Sequence, residues 1–296
     1  MNKFGAIKNN FSLNCKGRIL SFADPIVMGI LNLAPDSFYD GGIYTNEKQI
    51  LLQVEKMLME GAAVIDIGAE STRPGAALIT ETEEQDRLLP VLQLIIEKIP
   101  GTIISIDTYR ASTAKMAIEN GASIINDISG GEMDRKMFET ISTLKVPYIL
   151  MHMLGTPQNM QLNPQYSDVV TEVMNFFASR IIILKELGVN DIIIDPGFGF
   201  GKTPGNNYSL LSNLDYFKIL DVPILAGLSR KSMICKILNV RPSEALNGTT
   251  ALNMIALLNG ANMLRVHDVK EAMEVVNLWK MVNKSLAANC QESVES

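Results

Sequence analysis

Eight short apolar runs punctuate the chain, and each is followed by a stretch with helical spacing. The runs are 26–31 (IVMGIL), 63–67 (AVIDI), 102–106 (TIISI), 122–126 (ASIIN), 146–151 (VPYILM), 191–195 (DIIID), 222–228 (VPILAGL) and 261–266 (ANMLRV). They are apolar on both faces, as strands are in a parallel sheet covered by helices on each side. Between them, residues 46–60 place Ile50, Val54, Met57 and Leu58 on one stripe, with Asn46 read as the cap. Residues 80–98 open with Thr80 and Glu83 at capping-box spacing. Residues 166–187 repeat Val170, Val173, Phe177, Ile181 and Leu184 at helical intervals.

Eight strand–helix units in 296 residues predict a single-domain α/β fold, a (β/α)8 TIM barrel of the usual ~250 residues. The barrel is expected over 26–283. Residues 1–25 form an N-terminal extension, a strand or hairpin under the barrel floor, and 284–296 a C-terminal tail. A doubly wound open sheet is the alternative. Composition does not separate the two, and the count of eight favours the barrel.

Other classes fall away. Hydrophobic residues make up 47% and charged residues 20%, as in ordinary soluble proteins. The opening segment has lysines but no apolar core of a signal peptide, and no apolar run reaches the roughly 18 residues of a membrane span. Three scattered cysteines, Cys15, Cys235 and Cys290, suit a reducing compartment, so the expected location is cytoplasmic. A net charge of −6 argues against nucleic acid as a partner, and no membrane partner is expected. Local cations then become informative.

Every predicted strand ends in polar chemistry, where barrel enzymes keep their catalytic groups. In order these are Asn32; Asp66, followed by Ser71, Thr72 and Arg73; Asp107; Asn126 and Asp127; His152; Asp195; Ser229, Arg230 and Lys231; Arg265 and His267. Asp66, Asp127 and Asp268 read equally well as helix caps, and one buried histidine is more often structural. Capping does not explain Arg73, Arg230, Lys231 and Arg265 on one rim, which argue for an anionic ligand. "PGFGFGKT" at 196–203 nearly matches a nucleotide-binding P-loop, but Pro196 replaces the first glycine. Pro204, Gly205, Asn206 and Asn207 follow at once, so no helix is expected to start there. Gly197, Gly199 and Gly201 instead shape a tight loop around Phe198 and Phe200, one of which can lie over a flat ligand.

Taken together, "MGILNLAPDSFYDGG", "DIGAESTRPGA", "SIDTYR", "INDISGG", "MHMLGTPQNMQ", "IIIDPGFGFGK", "AGLSRKS", "LNGTTAL" and "RVHDV" resemble the dihydropteroate synthases, a pterin-binding family, in order and from about residue 20 to 282. The Ser-Thr-Arg-Pro-Gly and Ser-Arg-Lys segments distinguish that family from pterin-binding methyltransferase domains on the same barrel. A non-catalytic pterin-binding paralogue would be expected to have lost some of Asn32, Arg73, Lys231, Arg265 and His267, and all are present. The family has Thr where this chain has Ala34. That removes one hydroxyl and keeps Asp36, Ser37, Phe38 and Asp40.

The resemblance implies a transferase of folate biosynthesis and a sulfonamide target. It would join 4-aminobenzoate to the methylene of (7,8-dihydropterin-6-yl)methyl diphosphate, giving 7,8-dihydropteroate and diphosphate. Asp107, Asn126, Met151, Asp195, Phe200 and Lys231 would bind the pterin. Asn32, Asp40, Thr72, Arg73, Arg265 and His267 would bind diphosphate. Phe38, Pro74, Phe200 and Ser232 would contact 4-aminobenzoate. Lys231, Arg265, His267 and Asp107 would carry catalysis. Mg2+ would be the cofactor, with Asn32 its protein ligand. The first loop, with Asp36 and Asp40 toward the diphosphate and Gly41 and Gly42 as its bend, would act as a lid with the second. No enzyme nucleophile is implied, so Cys235 is packing. The small-molecule substrates would be the partners, with a second copy in a homodimer. On this reading Arg265→Ala loses diphosphate binding and keeps the fold.

Overall fold

The computed structural model describes residues 11–33, 43–69 and 79–292, with backbone alone for 43–46 and 286–292. A two-stranded antiparallel hairpin, β1 (Ser12–Cys15) and β2 (Arg18–Ser21), comes first. Then follow β3 (Ile26–Asn32), α1 (Ile43–Met59), β4 (Val64–Gly68), α2 (Glu81–Lys98), β5 (Ile104–Asp107), α3 (Ala111–Glu119), β6 (Ile124–Asp127) and α4 (Met137–Leu144). The second half runs β7 (Tyr148–Met151), α5 (Val169–Glu186), β8 (Ile192–Asp195), α6 (Pro204–Ser212), β9 (Leu225–Ala226), α7 (Ser232–Leu238), α8 (Leu246–Leu258), β10 (Met263–Val266) and α9 (Val269–Glu292). A 3-10 segment, Leu214–Leu220, sits between α6 and β9.

The eight strands β3–β10 form one parallel sheet in which β10 pairs with both β3 and β9. An Ile194–Ile224 bridge brings β8 to the chain just before β9, so the ring nearly closes. This is the expected (β/α)8 barrel, not an open doubly wound sheet.

Two local expectations are corrected. The helix predicted over 46–60 already begins at Ile43, so Asn46 lies inside it and does not cap it. A helix does start after the Gly-rich loop. Thr203 caps α6, accepting from the Asn206 N–H at 3.2 Å, and Pro204 occupies its first position. Proline fits there because the missing N–H has no partner to lose. Elsewhere Thr80 does cap α2, accepting from the Glu83 N–H at 3.2 Å.

Side-chain parity along the strands builds two layers. Ile65, Ile67, Ile104, Ile106, Ile125, Leu150, Ile192, Ile194 and Leu264 point outward into the helix-facing core. The alternate positions point into the barrel. Low in the interior these are Met28, Val64, Ile124, Ile149, Ile193 and Met263, packed against Leu13, Cys15, Leu20 and Phe22 of the hairpin. The hairpin therefore plugs the bottom. Burial, with Asp191 nearby, pushes the Cys15 thiol up to about 12, so it packs and does not react.

Candidate active site

One step further up each strand, the same inward parity carries polar groups: Asp66, Asp107, Asn126, Asp195 and Arg265. Below them the interior is apolar apart from Ser105, whose buried hydroxyl has no partner among the described residues, and the hairpin covers its floor. Arg265 reaches across this layer. Its Nε donates to Asp66 Oδ2 at 2.6 Å and its Nη2 to Asp107 Oδ2 at 2.8 Å. Asn126 Nδ2 donates to Asp66 Oδ2 at 3.1 Å. A carboxylate only accepts, so this bond fixes the amide orientation and aims Oδ1 elsewhere. Asn126 Oδ1 and Asp66 Oδ1 are buried acceptors with no partner among the described residues. Such atoms cost about 1–3 kcal/mol each and mark places where a ligand supplies donors.

Asp195 closes the other side. Its Oδ1 accepts from the Gly197 N–H at 2.8 Å. Its Oδ2 faces Gly227, where a side-chain carbon would lie 3.7 Å away. Burial pushes the Asp195 carboxyl up, while the Gly197 N–H, Lys231 and Arg265 pull it back. Lys231 stands at the start of α7 with its Nζ 4.1 Å from the Phe200 ring centroid. Burial pushes its ammonium down to about 8, and Asp195 opposes that. Asp107 is pushed up by burial against the pull of Arg265. Met151 and Phe200 belong to a small apolar cluster with Tyr109, Ile128, Met153 and Met160 at this end of the barrel.

His267 lies at the mouth beside Ser229. The Ser229 hydroxyl accepts from the His267 backbone N–H at 3.2 Å and meets its Nδ1 at 3.0 Å. Burial, then Arg230 and Arg265, push this imidazole down to about 4, so it is neutral at physiological pH. Arg230 does not contribute to the open rim. It has a left-handed backbone and spends its fork on Asp268, at 3.1 and 2.6 Å.

The structure thus brings together Asp107, Asn126, Met151, Asp195, Phe200, Lys231, Arg265 and His267. Asn32 ends β3 and is half-buried beside the Gly68 register of β4. Ser232 is exposed at the first position of α7. Ala34, Asp36, Ser37, Phe38, Asp40, Gly41, Gly42, Ser71, Thr72, Arg73 and Pro74 lie outside the described residues. The segment carrying the last four is bracketed by Ala69 and Ile79, whose carbonyls accept from Arg87 Nη1 at 3.2 Å and Arg110 Nη2 at 2.6 Å.

Of the two readings open for Asp66, the helix cap is the one that does not hold. Asp66 is fully buried, mid-strand, and holds Arg265. The signal was present, because it precedes two further strand residues and the next predicted helix begins far downstream. Asp127 has the opposite parity and braces a turn. It accepts from Ser129 N–H and Oγ, both at 2.7 Å, and from Tyr148 Oη at 2.6 Å. Arg265 is also built into the barrel interior. Its two buried ion pairs make it part of the fold, which corrects the expectation that its removal leaves the fold intact.

Comparison with known proteins agrees with this geometry. The family described as "Pterin binding enzyme" matches residues 28–267. Dihydropteroate synthase of Escherichia coli (strain K12) is 41% identical over 278 residues, covering 93% of this chain and 97% of its own. That of Bacillus subtilis (strain 168) is 40% identical over 276 residues, covering 92% and 94%. The crystal structure of Yersinia pestis dihydropteroate synthase with a sulfonamide drug superposes with a TM-score of 0.86 at 40% identity, over 93% of this chain and 100% of that one. Xanthomonas albilineans dihydropteroate synthase in complex with 7,8-dihydropteroate gives 0.82 at 35% identity, over 92% and 98%. With a polar ring of this composition at the barrel mouth and relatives matched over nearly their whole length, the chain belongs to the dihydropteroate synthases of the pterin-binding enzyme family.

Proposed function

We propose that the chain joins 4-aminobenzoate to (7,8-dihydropterin-6-yl)methyl diphosphate, releasing diphosphate and forming 7,8-dihydropteroate. The observation that carries this is the sorting of polar groups by depth. Acceptors lie deepest: Asp195, Asn126 Oδ1 and Asp66 Oδ1. Donors and cations are less buried: Lys231 and His267 at the mouth, and Arg265, which starts in the Asp66 layer and keeps its side chain half-buried. A pterin offers an N–H and an adjacent NH2 along one edge, which suits the deep acceptors, and its diphosphate tail then points to the cations.

In this reading Asp195 receives the paired ring donors, and Asn126 and Asp107 complete the ring's hydrogen bonds. Lys231 donates to the ring's acceptor side, and Phe200 and Met151 pack against its faces. Arg265 has five N–H groups, and its two carboxylate partners take one each. The others are available to the departing diphosphate beside His267. As the C–O bond breaks, the electron pair leaves with diphosphate, and the electron-rich dihydropterin stabilises its methylene. The aryl amine attacks that carbon and gives up a proton. Catalysis is charge stabilisation and positioning. Mass-spectrometric detection of 7,8-dihydropteroate from the purified protein, Mg2+ and both substrates tests the reading. Absence of product, or diphosphate release with the pterin alone, overturns it.

Mg2+ is part of the proposal. The described residues contain no group of three or more His, Cys, Asp or Glu side chains able to cage a metal. The Asn32 amide oxygen at the mouth fits a hydrated ion that takes its other ligands from phosphate and water. When bound, such an ion neutralises leaving-group charge. Asp40, Thr72 and Arg73 on the diphosphate and Phe38, Pro74 and Ser232 on the aminobenzoate complete the proposed assignment.

Lys231 gives the reading a pH signature. Its ammonium loses charge as pH rises through about 8, so affinity for a pterin diphosphate should fall on the alkaline side. Lys231→Met should bind weakly and without that limb in calorimetry. A limb that survives the substitution assigns it to another group.

A homodimer in the cytoplasm completes the proposal. Ile182 and Ile183 of α5 and Tyr216 and Ile219 of the adjoining 3-10 segment expose apolar surface, Ile219 at 82%, and Ile237 and Leu238 of α7 are exposed as well. Patches of this kind mark association surfaces. Sedimentation velocity checks it, and a species at the monomer mass of 32.5 kDa overturns it. Cys15 and Cys235 are free, and no described helix is long and apolar enough to cross a membrane.

A further inference from the structure

The motif that resembles a P-loop still lacks a role, because its lysine does not reach the mouth. Lys202 is only 2% exposed, and its Nζ is surrounded by four acceptors. These are His152 Nδ1 at 2.9 Å, His152 O at 3.1 Å, Gly197 O at 3.0 Å and Phe200 O at 3.0 Å. An ammonium only donates, so His152 Nδ1 is the acceptor, and a neutral imidazole carries its proton on Nε2. Burial, then Lys202 and Arg180, push His152 down to about 2, in keeping with that tautomer.

We propose that Lys202 and His152 form a positioning pair that holds the pterin half of the site, tying the exit of β7 to the loop after β8. The loop has no ladder of its own. Beyond one internal backbone bond, from the Phe200 N–H to Gly197 O at 3.0 Å, it is held from outside, with Gln161 Nε2 on Gly199 O at 2.7 Å, Asn207 Oδ1 on Gly199 N at 2.7 Å and Tyr166 Oη on Gly201 O at 2.9 Å. Lys202 supplies the central knot. Gly197, whose carbonyl it binds, donates to Asp195 Oδ1. Phe200, whose carbonyl it also binds, carries Lys231 over its ring. The backbone here is packed to contact. A side-chain carbon on Gly197, at φ +68°, would lie 1.9 Å from His152 O. Burial pushes the Lys202 ammonium down to about 7, against the pull of Asp195, and while charged it stands behind Asp195 and helps keep that carboxylate ionised. Lys202 and His152 therefore act through Asp195, Phe200 and Lys231, not on the substrate.

The proposal rests on the assignment of Asp195 to the pterin, and the test separates the two. Full-length parent, Lys202→Met, His152→Leu and His152→Asn are each assayed for kcat, both KM values, 6-hydroxymethylpterin affinity by calorimetry, and Tm. Lys202→Met and His152→Leu should raise the pterin KM and Kd about ten-fold or more, as expected for lost bonds to a charged group. The aminobenzoate KM should stay within about two-fold. His152→Asn keeps an acceptor near the Nδ1 position and should recover most of the pterin affinity. A folded Lys202→Met with parental pterin constants overturns the proposal. So does a uniform loss in every constant that His152→Asn does not rescue. Should Lys202→Met not fold, His152→Leu decides by the same criterion. Failure of the parent itself to bind pterin counts against the Asp195 assignment instead.

Discussion

Asp195→Asn should lose pterin binding while becoming no less stable. In the parent, one carboxylate oxygen takes the Gly197 N–H, and the other faces Gly227 and is the one proposed to take the pterin. An asparagine has one acceptor and one NH2 group in those places. Either the Gly197 N–H or the pterin edge then meets a donor. Mispairing plus the loss of a charge-assisted bond amounts to about 3 kcal/mol, roughly a hundred-fold in affinity. Stability should move the other way. The Asp195 carboxyl is pushed up in the fold, so ionising it costs stability as pH rises above the unfolded value toward the folded one. The neutral amide escapes that cost at neutral pH. Calorimetry with a pterin and thermal unfolding of the same sample measure both. Affinity within about three-fold of the parent would remove Asp195 from the assigned role.

Arg265→Met should affect fold and function together. It strands the buried Asp66 and Asp107, which the guanidinium holds at 2.6 and 2.8 Å. Breaking a buried pair on one side costs about 3–5 kcal/mol. The sign with pH follows from the carboxylates. Burial pushes the Asp107 carboxyl up to about 7 even with Arg265 pulling it back, so without the guanidinium it is pushed further up and the added cost of ionising it is incurred above about 7. The deficit relative to the parent should therefore shrink on acidification. Urea unfolding at mildly acidic and mildly alkaline pH, on either side of about 7, measures this. Adding Asp66→Asn to the variant should recover part of the loss, because the two residues are coupled. Diphosphate should protect the parent against thermal unfolding and leave the variant unprotected. A variant as stable as the parent at neutral pH would show that the two ion pairs do not support the barrel.

Much of the barrel was legible because its strands are apolar on both faces and its helices carry stripes, two periods that local sequence records directly. Asn126, Asp195, Arg265 and His267 were legible for a related reason. A polar side chain at the end of an apolar strand has little packing purpose. What the sequence concealed depends on parity and on contacts far along the chain. Asp66 and Asp127 both follow isoleucines or precede them in similar strands, yet one points into the barrel and meets Arg265, and the other points out and braces a turn. Only the strand register separates them. The start of α6 is hidden because proline breaks a helix interior, whereas at the first helical position, where Pro204 stands, it is favoured. Lys202 sits in a phosphate-like motif, but its four acceptors come from two segments some fifty positions apart in sequence.

The pairing that closes the ring, Ile26 with Met263, has a consequence for synthesis. The first barrel strand leaves the ribosome with one edge unpaired, and its partner on that side is made more than two hundred residues later. At ~5–20 residues per second this wait lasts roughly 10–50 s. The floor hairpin waits as well, since Leu225 and Met263, two of the residues it covers, arrive last. A nascent chain of this protein therefore carries an exposed strand edge and an apolar ribbon at its leading end for most of its translation, which is the state that invites mispairing between chains. The same arrangement makes completion of the chain the trigger for closure, so truncated products should not mature into partly closed barrels, and holdase chaperones should engage the leading hairpin until β10 is released.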